Sequence, residues 1–350
     1  MTVSAEPEVN VELYSRSGFG GPFTTIVRAQ YLPDFTRAEG SYLPRRFQTW
    51  ELADEAFAGA HALPVPILKG DGLAIEVNRL SGPPAHAVKN VAADELHFVI
   101  DGGGELDTMA GVLQVRAGDF VRIPRGIAYR WNSVTAPIDE IVVTTSSEIT
   151  VDPQNAPGTF NPDLHLDVAT PHGRPGGPVD GEYEVVFRHG DELTSYFFDY
   201  DPLPCLDVKG APPVVRINIE HVHGLAVDDG GLQPARLFGS VSGRDLLFGI
   251  NSRRSDRPPV HHNVDYDEII CYAAGPTPWG GVDTPGTVTW VPKGVLHQGP
   301  EEDVHPGYKA WLLETRVDMT ATPAGLGIAQ IMETNQYGVH PSNEQSAVSV

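Results

Sequence analysis

Two stretches decide the fold: residues 118–129, GDFVRIPRGIAY, and residues 286–297, GTVTWVPKGVLH. Each has Gly, five residues, Pro, one residue, Gly and two residues, and then ends on Tyr129 or His297. Glycine and proline at fixed positions beside β-branched residues are typical of tight turns between strands. The pattern therefore predicts a strand–turn–strand unit that occurs twice in the chain.

A second pattern precedes each stretch. Six residues separate Glu95 from Gly102, and six separate Glu268 from Gly275. One such pair carries no information, but two patterns repeated in the same order predict two similar halves. Short β-rich runs bounded by Gly or Pro recur in both halves, at 73–80, 95–101, 112–123, 140–151, 182–188, 214–220, 245–250, 267–273, 287–292 and 308–316.

The composition agrees with many short strands. The 350 residues include 37 Gly and 31 Pro, near a fifth of the chain, against about 12% in average usage. A formal charge of −22 argues against nucleic acid as a partner, because phosphates need a basic surface. Cys205 and Cys271 form neither a disulfide framework nor a metal knuckle. No long apolar run or signal-like start is present, so we expect no membrane span and a cytoplasmic location.

The repeated pair of motifs resembles the two motifs of the cupin superfamily, whose small β-barrels hold a metal inside. The resemblance implies an all-β bicupin with two double-stranded β-helix (jelly-roll) barrels and few helices. The best helix candidate is 48–60. The expected divisions are an N-terminal arm at 1–45, a first barrel without metal ligands at 46–151, a linker at 152–181, a metal-binding barrel at 182–320 and a tail at 321–350.

In cupins a histidine upstream of the glutamate and a closing histidine complete the metal site. In the second half these are His262, Glu268 and His297. An even offset of six places His262 and Glu268 on one face of a regular strand, whereas His261 would face away unless a bulge intervened. Two imidazoles and one carboxylate form a facial triad that suits non-haem Fe(II), with positions left open.

The first half lacks these ligands. Lys89 stands six residues before Glu95, and Tyr129 stands where the closing histidine would be. A lysine ammonium has no lone pair for a metal. We therefore expect the first half to be structural.

Residues 257–263 (RPPVHHN) and 297–300 (HQGP) resemble the iron-site segments of homogentisate 1,2-dioxygenases. Residues 186–200 resemble the segment in which that family keeps an active-site acid/base histidine, which falls on His189. Residues 17–20 (SGFG) resemble the family's N-terminal motif. The similarity implies an Fe(II)-dependent dioxygenase that cleaves a dihydroxylated aromatic ring with O2.

Three positions depart from that family. Val260, Thr277 and Val291 replace two tyrosines and a histidine that surround the family's substrate, which favours another phenolic ring of the hydroquinone type. The alternatives are another metal-dependent cupin enzyme, such as a tailoring oxygenase or isomerase, and a non-catalytic ligand-binding cupin. A small aromatic molecule and O2 are the expected partners. The oligomeric state stays open, and a homo-oligomer is compatible with the sequence.

Overall fold

The computed structural model describes residues 10–16, 24–30, 33–151, 160–223, 225–226, 232–251, 254–255, 259–275, 282–299, 302–303 and 308–341. Within these ranges the chain is built almost wholly from β-strands, so the predicted all-β class is confirmed.

Strands β1 to β14 are Asn10–Ser15, Thr24–Arg28, Arg45–Gln48, Val65–Gly70, Leu73–Leu80, Ala87–Asn90, Asp94–Thr108, Gly111–Arg116, Asp119–Ile123, Ala128–Thr145, Ile149–Val151, Leu166–Val168, Pro178–His189 and Glu192–Tyr200. Strands β15 to β27 are Val215–Asn218, Leu225–Ala226, Leu232–Gln233, Ala235–Ser240, Asp245–Asn251, Arg254–Ser255, Val260–Asn263, Asp267–Ala274, Thr287–Val291, Glu302–Asp303, Lys309–Thr315, Thr320–Ala321 and Ala329–Ile331. The helices are α1 (Pro162–His165) and α2 (Pro323–Gly327), with three 3-10 turns at Thr49–Glu51, Asp54–Phe57 and Ile219–His221.

Two large sheets make the two barrels. The first runs β12-β15-β9-β7-β10-β5-β4-β26, with β6, β8, β13 and β14 attached to it. The second runs β11-β18-β19-β25-β22-β23-β3-β27. A smaller sheet, β2-β1-β21, joins the N-terminal segment to the second half. Each long stretch that the sequence predicted as a repeat therefore lies in a different sheet.

The repeat is visible in the backbone. Gly118 and Gly286 have φ of 85° and 87°, and Gly126 and Gly294 have φ of 81° and 80°. This left-handed region is accessible to glycine at little cost, which explains why both halves place glycine there. The matched angles show that the two halves turn in the same way at the same motif positions.

The division between the barrels differs from the predicted one. Strands β12 to β15, at 166–218, belong to the first sheet, because β13 pairs with β6 and β15 pairs with β9. The expected linker at 152–181 contributes α1 and β12 within its described part, and residues 152–159 lie outside the described residues. Pairing between distant strands, which local sequence does not encode, sets this boundary.

The barrels also exchange strands at their margins. β3 pairs with β23 of the second sheet, and β11 pairs with β18 of that sheet. In return β26 pairs with β4 of the first sheet. The predicted arm thus supplies β1 and β2, and the predicted tail supplies β27, which pairs with β3.

The main core lies between the barrels. Phe98 and Phe120 of the first sheet meet the ring of Trp311 of the second, with centroids 5.9 and 6.1 Å apart. Edge-on packing of buried aromatic rings is favourable beyond the area it buries. The two barrels therefore share one hydrophobic core.

The expected helix at 48–60 is replaced by two 3-10 turns. Leu52 and Ala53 adopt extended ψ angles of 131° and 139°, which break the helical run. The Arg79 guanidinium binds the Leu52 carbonyl oxygen at 2.9 Å, so a tertiary contact holds the break. Across the described ranges, no helix has the length and apolar character needed to span a bilayer.

Candidate metal centre

Three side chains of the second barrel converge on one point. His261 lies on β21, Glu268 on β22, and His297 follows β23. His297 Nε2 is 3.2 Å from Glu268 Oε2, and His261 Nε2 is 3.9 Å from Glu268 Oε1. The two imidazole centroids are 4.2 Å apart. This cluster offers two nitrogen donors and one carboxylate within ligating distance of a single ion.

Backbone pairing brings the two histidines together. His261 and His297 exchange both of their backbone hydrogen bonds, at 2.9 and 3.0 Å. Residues paired in this way project their side chains from the same face. The backbone pairing of His261 and His297 therefore places their imidazoles side by side.

The imidazoles are oriented by backbone carbonyls. His261 Nδ1 lies 2.8 Å from the Pro259 carbonyl oxygen, and His297 Nδ1 lies 3.0 Å from that of Val295. A proton on Nδ1 in each ring leaves the Nε2 lone pair for the centre. The buried Nε2 atom of His297 lies 3.2 Å from the Glu268 carboxylate without the geometry of a hydrogen bond, so a cation bound to both groups would satisfy them better. These residues therefore fit a divalent transition metal.

The metal-free charges are tightly coupled. Burial and the neighbouring His297 lower the pKa of His261 to about 4, so its imidazole is neutral at pH 7. Burial would raise the pKa of Glu268, but the charge of His297 outweighs it and lowers that pKa. Burial would lower the pKa of His297, but Glu268 outweighs it and raises that pKa. Without a metal, the Glu268 carboxylate therefore pairs with the His297 imidazolium. A metal cation would displace the proton from that imidazolium and take over the pairing with Glu268.

A further carboxyl flanks the cluster. Glu314 on β25 lies directly opposite Glu268 on β22, so the two side chains share a face. Burial and the negative charge of Glu268 raise the pKa of Glu314 well above its ordinary value. Asn263 donates a hydrogen bond to Glu314 Oε1 at 3.1 Å. Glu314 was not predicted from the sequence, because it lies in a predicted strand without a motif around it.

The histidine that the structure places in the cluster is His261, whereas the sequence favoured His262. The even-offset argument assumed one unbroken strand to Glu268, but a bend at Val264 and Asp265 separates β21 from β22. Side-chain alternation is not carried across that bend. The ring of His262 instead packs edge-on against Tyr14 of β1, with centroids 5.4 Å apart.

His189 is not part of the cluster. It ends β13, which pairs with β6 and β14 in the first sheet, and its side chain is exposed. The resemblance placed residues 186–200 in the second half, whereas their strand pairing places them in the first. An acid/base role for His189 at this centre is therefore a prediction that the fold does not support.

The equivalent position in the first barrel holds no ligand set of this kind. Asn90 and Asn263 stand five residues before the motif glutamates, and their carbonyls accept from Gly126 and Gly294 at 2.6 and 2.8 Å. By this equivalence Val88 occupies the position of His261.

Lys89 and Tyr129, at the other motif positions of the first barrel, both contact protein groups. The Lys89 ammonium lies 5.0 Å from the ring centroid of Phe187, and the Tyr129 hydroxyl donates to Glu95 at 2.8 Å. Glu95 is thus satisfied by protein donors.

Buried charged groups fill the interior of the first barrel. Arg188 binds Glu76 through two nitrogens, at 2.6 and 3.1 Å, and lies 3.6 Å from Glu95. His97 lies 3.1 Å from Glu140 and 3.5 Å from Glu95. Burial would lower the pKa of His97, but the two carboxylates outweigh it and raise that pKa to about 10. An arginine and an imidazolium therefore supply here the positive charge that a metal would supply in the second barrel.

Several positions that carry the family resemblance lie outside the described residues. The SGFG stretch at 17–20 and the Arg257–Pro258 pair lie outside the described residues, as does Thr277. Val260 and Val291 are buried. These two positions present no polar group to a substrate.

Comparison with known proteins gives distant similarities. No family model matches the chain. A protein of Saccharolobus solfataricus named "Putative dioxygenase" is 23% identical over 228 residues, which cover 60% of this chain. The match spans 57% of that curated relative's length.

Solved structures with a similar arrangement are also distant. The "Putative Glyoxylate Induced Protein" of Pseudomonas aeruginosa has a TM-score of 0.46 and 11% identity, over 89% of this chain and 98% of that one. A mutant of Bacillus subtilis oxalate decarboxylase has a TM-score of 0.41 and 14% identity, over 83% and 81%.

Proposed function

We propose that this chain is an Fe(II)-dependent dioxygenase that cleaves a dihydroxylated aromatic ring of the hydroquinone or homogentisate type with O2. The observation that carries the proposal is the convergence of His261, Glu268 and His297 on one centre. Two imidazoles and one carboxylate on one side of an ion are the donor set of non-haem Fe(II) oxygenases. The dioxygenase name of the distant curated relative supports the same reaction class.

Each residue of the cluster has a distinct task. His261 and His297 present Nε2 lone pairs because backbone carbonyls hold their Nδ1 protons. Glu268 supplies the negative charge and lies between them. Fe(II) held by these three donors would supply Lewis-acid chemistry to a substrate hydroxyl and redox chemistry for the reaction with O2.

The reaction is tested by O2 uptake. Fe(II)-loaded protein is incubated with a panel of hydroquinones, catechols and aminophenols, and products are analysed by mass spectrometry with isotopically labelled O2. We expect uptake with at least one hydroquinone and a ring-opened product that contains both labelled oxygen atoms. No uptake at full iron occupancy refutes the proposal. An intact ring, or turnover without O2, favours another metal-dependent cupin reaction.

The ligand assignment is tested with a neighbouring pair of variants. His261→Ala removes a proposed ligand, whereas His262→Ala removes an imidazole that packs on Tyr14. We expect His261→Ala to lose bound iron and His262→Ala to retain it, measured as iron per folded chain. The reverse result shows that the cluster is wrongly assigned. If the Glu268→Ala and His297→Ala variants both retain iron, the cluster is not the metal site, and a non-catalytic role explains the fold better.

A further inference from the structure

The first barrel contains a second convergence of metal-type donors, distinct from its motif positions. A cavity of about 360 Å³ opens in this barrel, and its lining includes Glu95 and Arg188 deep in the barrel. His61, His86 and Glu184 also line it. Their donor atoms all lie within 4.8 Å of one another.

Strand register explains two of the three positions. β6 and β13 are parallel, with Val185 opposite Ala87. Glu184 and His86 each come one residue earlier, so they are neighbours and project from the same face. That face is the cavity side, since Val185 and Ala87 are buried in a separate apolar cluster. This single strand pairing brings together His86 and Glu184, which lie 98 positions apart in the sequence.

The third donor comes from the segment that precedes β4. His61 Nε2 is 2.9 Å from Glu184 Oε1, and the rings of His61 and His86 meet edge-on with centroids 4.9 Å apart. His86 is 7% exposed, whereas the His61 and Glu184 side chains are 37% and 22% exposed. The cluster therefore combines one buried imidazole with two groups that solvent and ions can reach.

From this geometry we propose that His61, His86 and Glu184 form a second site for a divalent transition cation of the Zn²⁺ class. Nitrogen and carboxylate donors at about 2.0–2.2 Å from a tetrahedral ion lie about 3.3 Å from each other. The His61–Glu184 pair, at 2.9 Å, is already that close, and the other donor pairs, which lie within 4.8 Å, would close to this distance around a bound ion. Three protein ligands leave the fourth position of the ion open to water or a small ligand.

The site is separate from both motif positions. The motif glutamate Glu95 is held by Tyr129 and Asn90, so it is already occupied by protein donors. The second-barrel centre uses residues of a different sheet. The full chain should therefore bind two ions, one in each barrel.

The experiment is a Zn²⁺ titration of metal-stripped full-length protein by calorimetry. We expect two ions per chain in the wild type, one in His86→Ala, one in His297→Ala and none in the double variant. Glu184→Gln, which preserves the size of the side chain, should also reduce the count by one. His165→Ala is the matched control, because His165 stacks on His221 outside both clusters and should leave two ions.

Two outcomes overturn the proposal. One is a wild-type count of one ion that disappears in His297→Ala. The other is a second ion that persists in both His86→Ala and Glu184→Gln when circular dichroism shows them folded. If His86→Ala fails to fold, Glu184→Gln alone decides, because a count that stays at two refutes the site and a count of one supports it. A loss of O2 uptake does not bear on this count, so failure of the proposed dioxygenase activity remains distinguishable.

Discussion

Raising the pH from 7 to 10 should destabilise the protein through His97. Its pKa is about 10 in the folded chain against 6.5 without the fold, because the carboxylates of Glu140 and Glu95 outweigh its burial. A group whose pKa is higher in the folded chain stabilises the fold fully at a pH below its unfolded-state pKa. That stabilisation is lost as the pH rises through its folded-state pKa. Each unit between the two pKa values corresponds to about 1.4 kcal/mol. The loss from this one group is therefore about 4 kcal/mol between pH 7 and 10.

The assay is urea unfolding at intervals of pH for the wild type and His97→Gln. Glutamine can still donate to Glu140 but does not titrate, so lysines and tyrosines that ionise near pH 10 affect both proteins equally. We expect the free energy of unfolding of the wild type to fall by about 4 kcal/mol more than that of the variant. Parallel curves refute the reasoning, since they would show that His97 is neutral in the folded state.

Three further experiments test the buried groups and tight turns of the two barrels. Arg188→Met should lower the free energy of unfolding by about 3–5 kcal/mol in urea, because it leaves its buried carboxylate partner unpaired; an unchanged midpoint would contradict the ion pair. Gly102→Ala should cost more than Gly126→Ala in thermal unfolding, since both have φ near +80° but only the first would force a Cβ into a backbone carbonyl; equal losses would contradict this. A thiol reagent should modify Cys205 in the native protein and reach Cys271 only after unfolding, because burial raises the pKa of the Cys271 thiol; rapid reaction of both thiols would show otherwise.

The turns of the two barrels could be predicted from the sequence because their requirements are local. Gly126 and Gly294 both need a positive φ, and that need is met at the residue itself. Counting between such positions was enough to predict the repeat, the all-β class and the glutamate of the candidate metal centre.

The boundaries of the barrels could not be predicted in this way. β3 and β23 are separated by more than 230 residues, and nothing in either segment specifies the other. The structure places His261 rather than the predicted His262 in the candidate cluster for a related reason. Alternation along a strand predicts a face only while the strand continues, and the bend at Val264 resets it.

The second histidine cluster shows the same limit at a larger scale. His61, His86 and Glu184 have no common motif or spacing, and only the parallel pairing of two strands brings two of them together. Sequence motifs predict ligands that recur at fixed spacing in a family. Ligands that come together only through tertiary contacts can be identified only in the folded structure.

The strand exchange has a consequence for synthesis on the ribosome. The edge of β4 is covered by β26, which emerges about 250 residues later, and β3 must wait as long for β23. The first sheet therefore stays incomplete until β26 emerges, and the second until β23 and β27 emerge, so late strands close both sheets. Until then the exposed edges can pair with other nascent chains, and rapid translation at high concentration should favour aggregation. Because each sheet contains strands from the other half of the chain, the two halves cannot be separated by simple truncation.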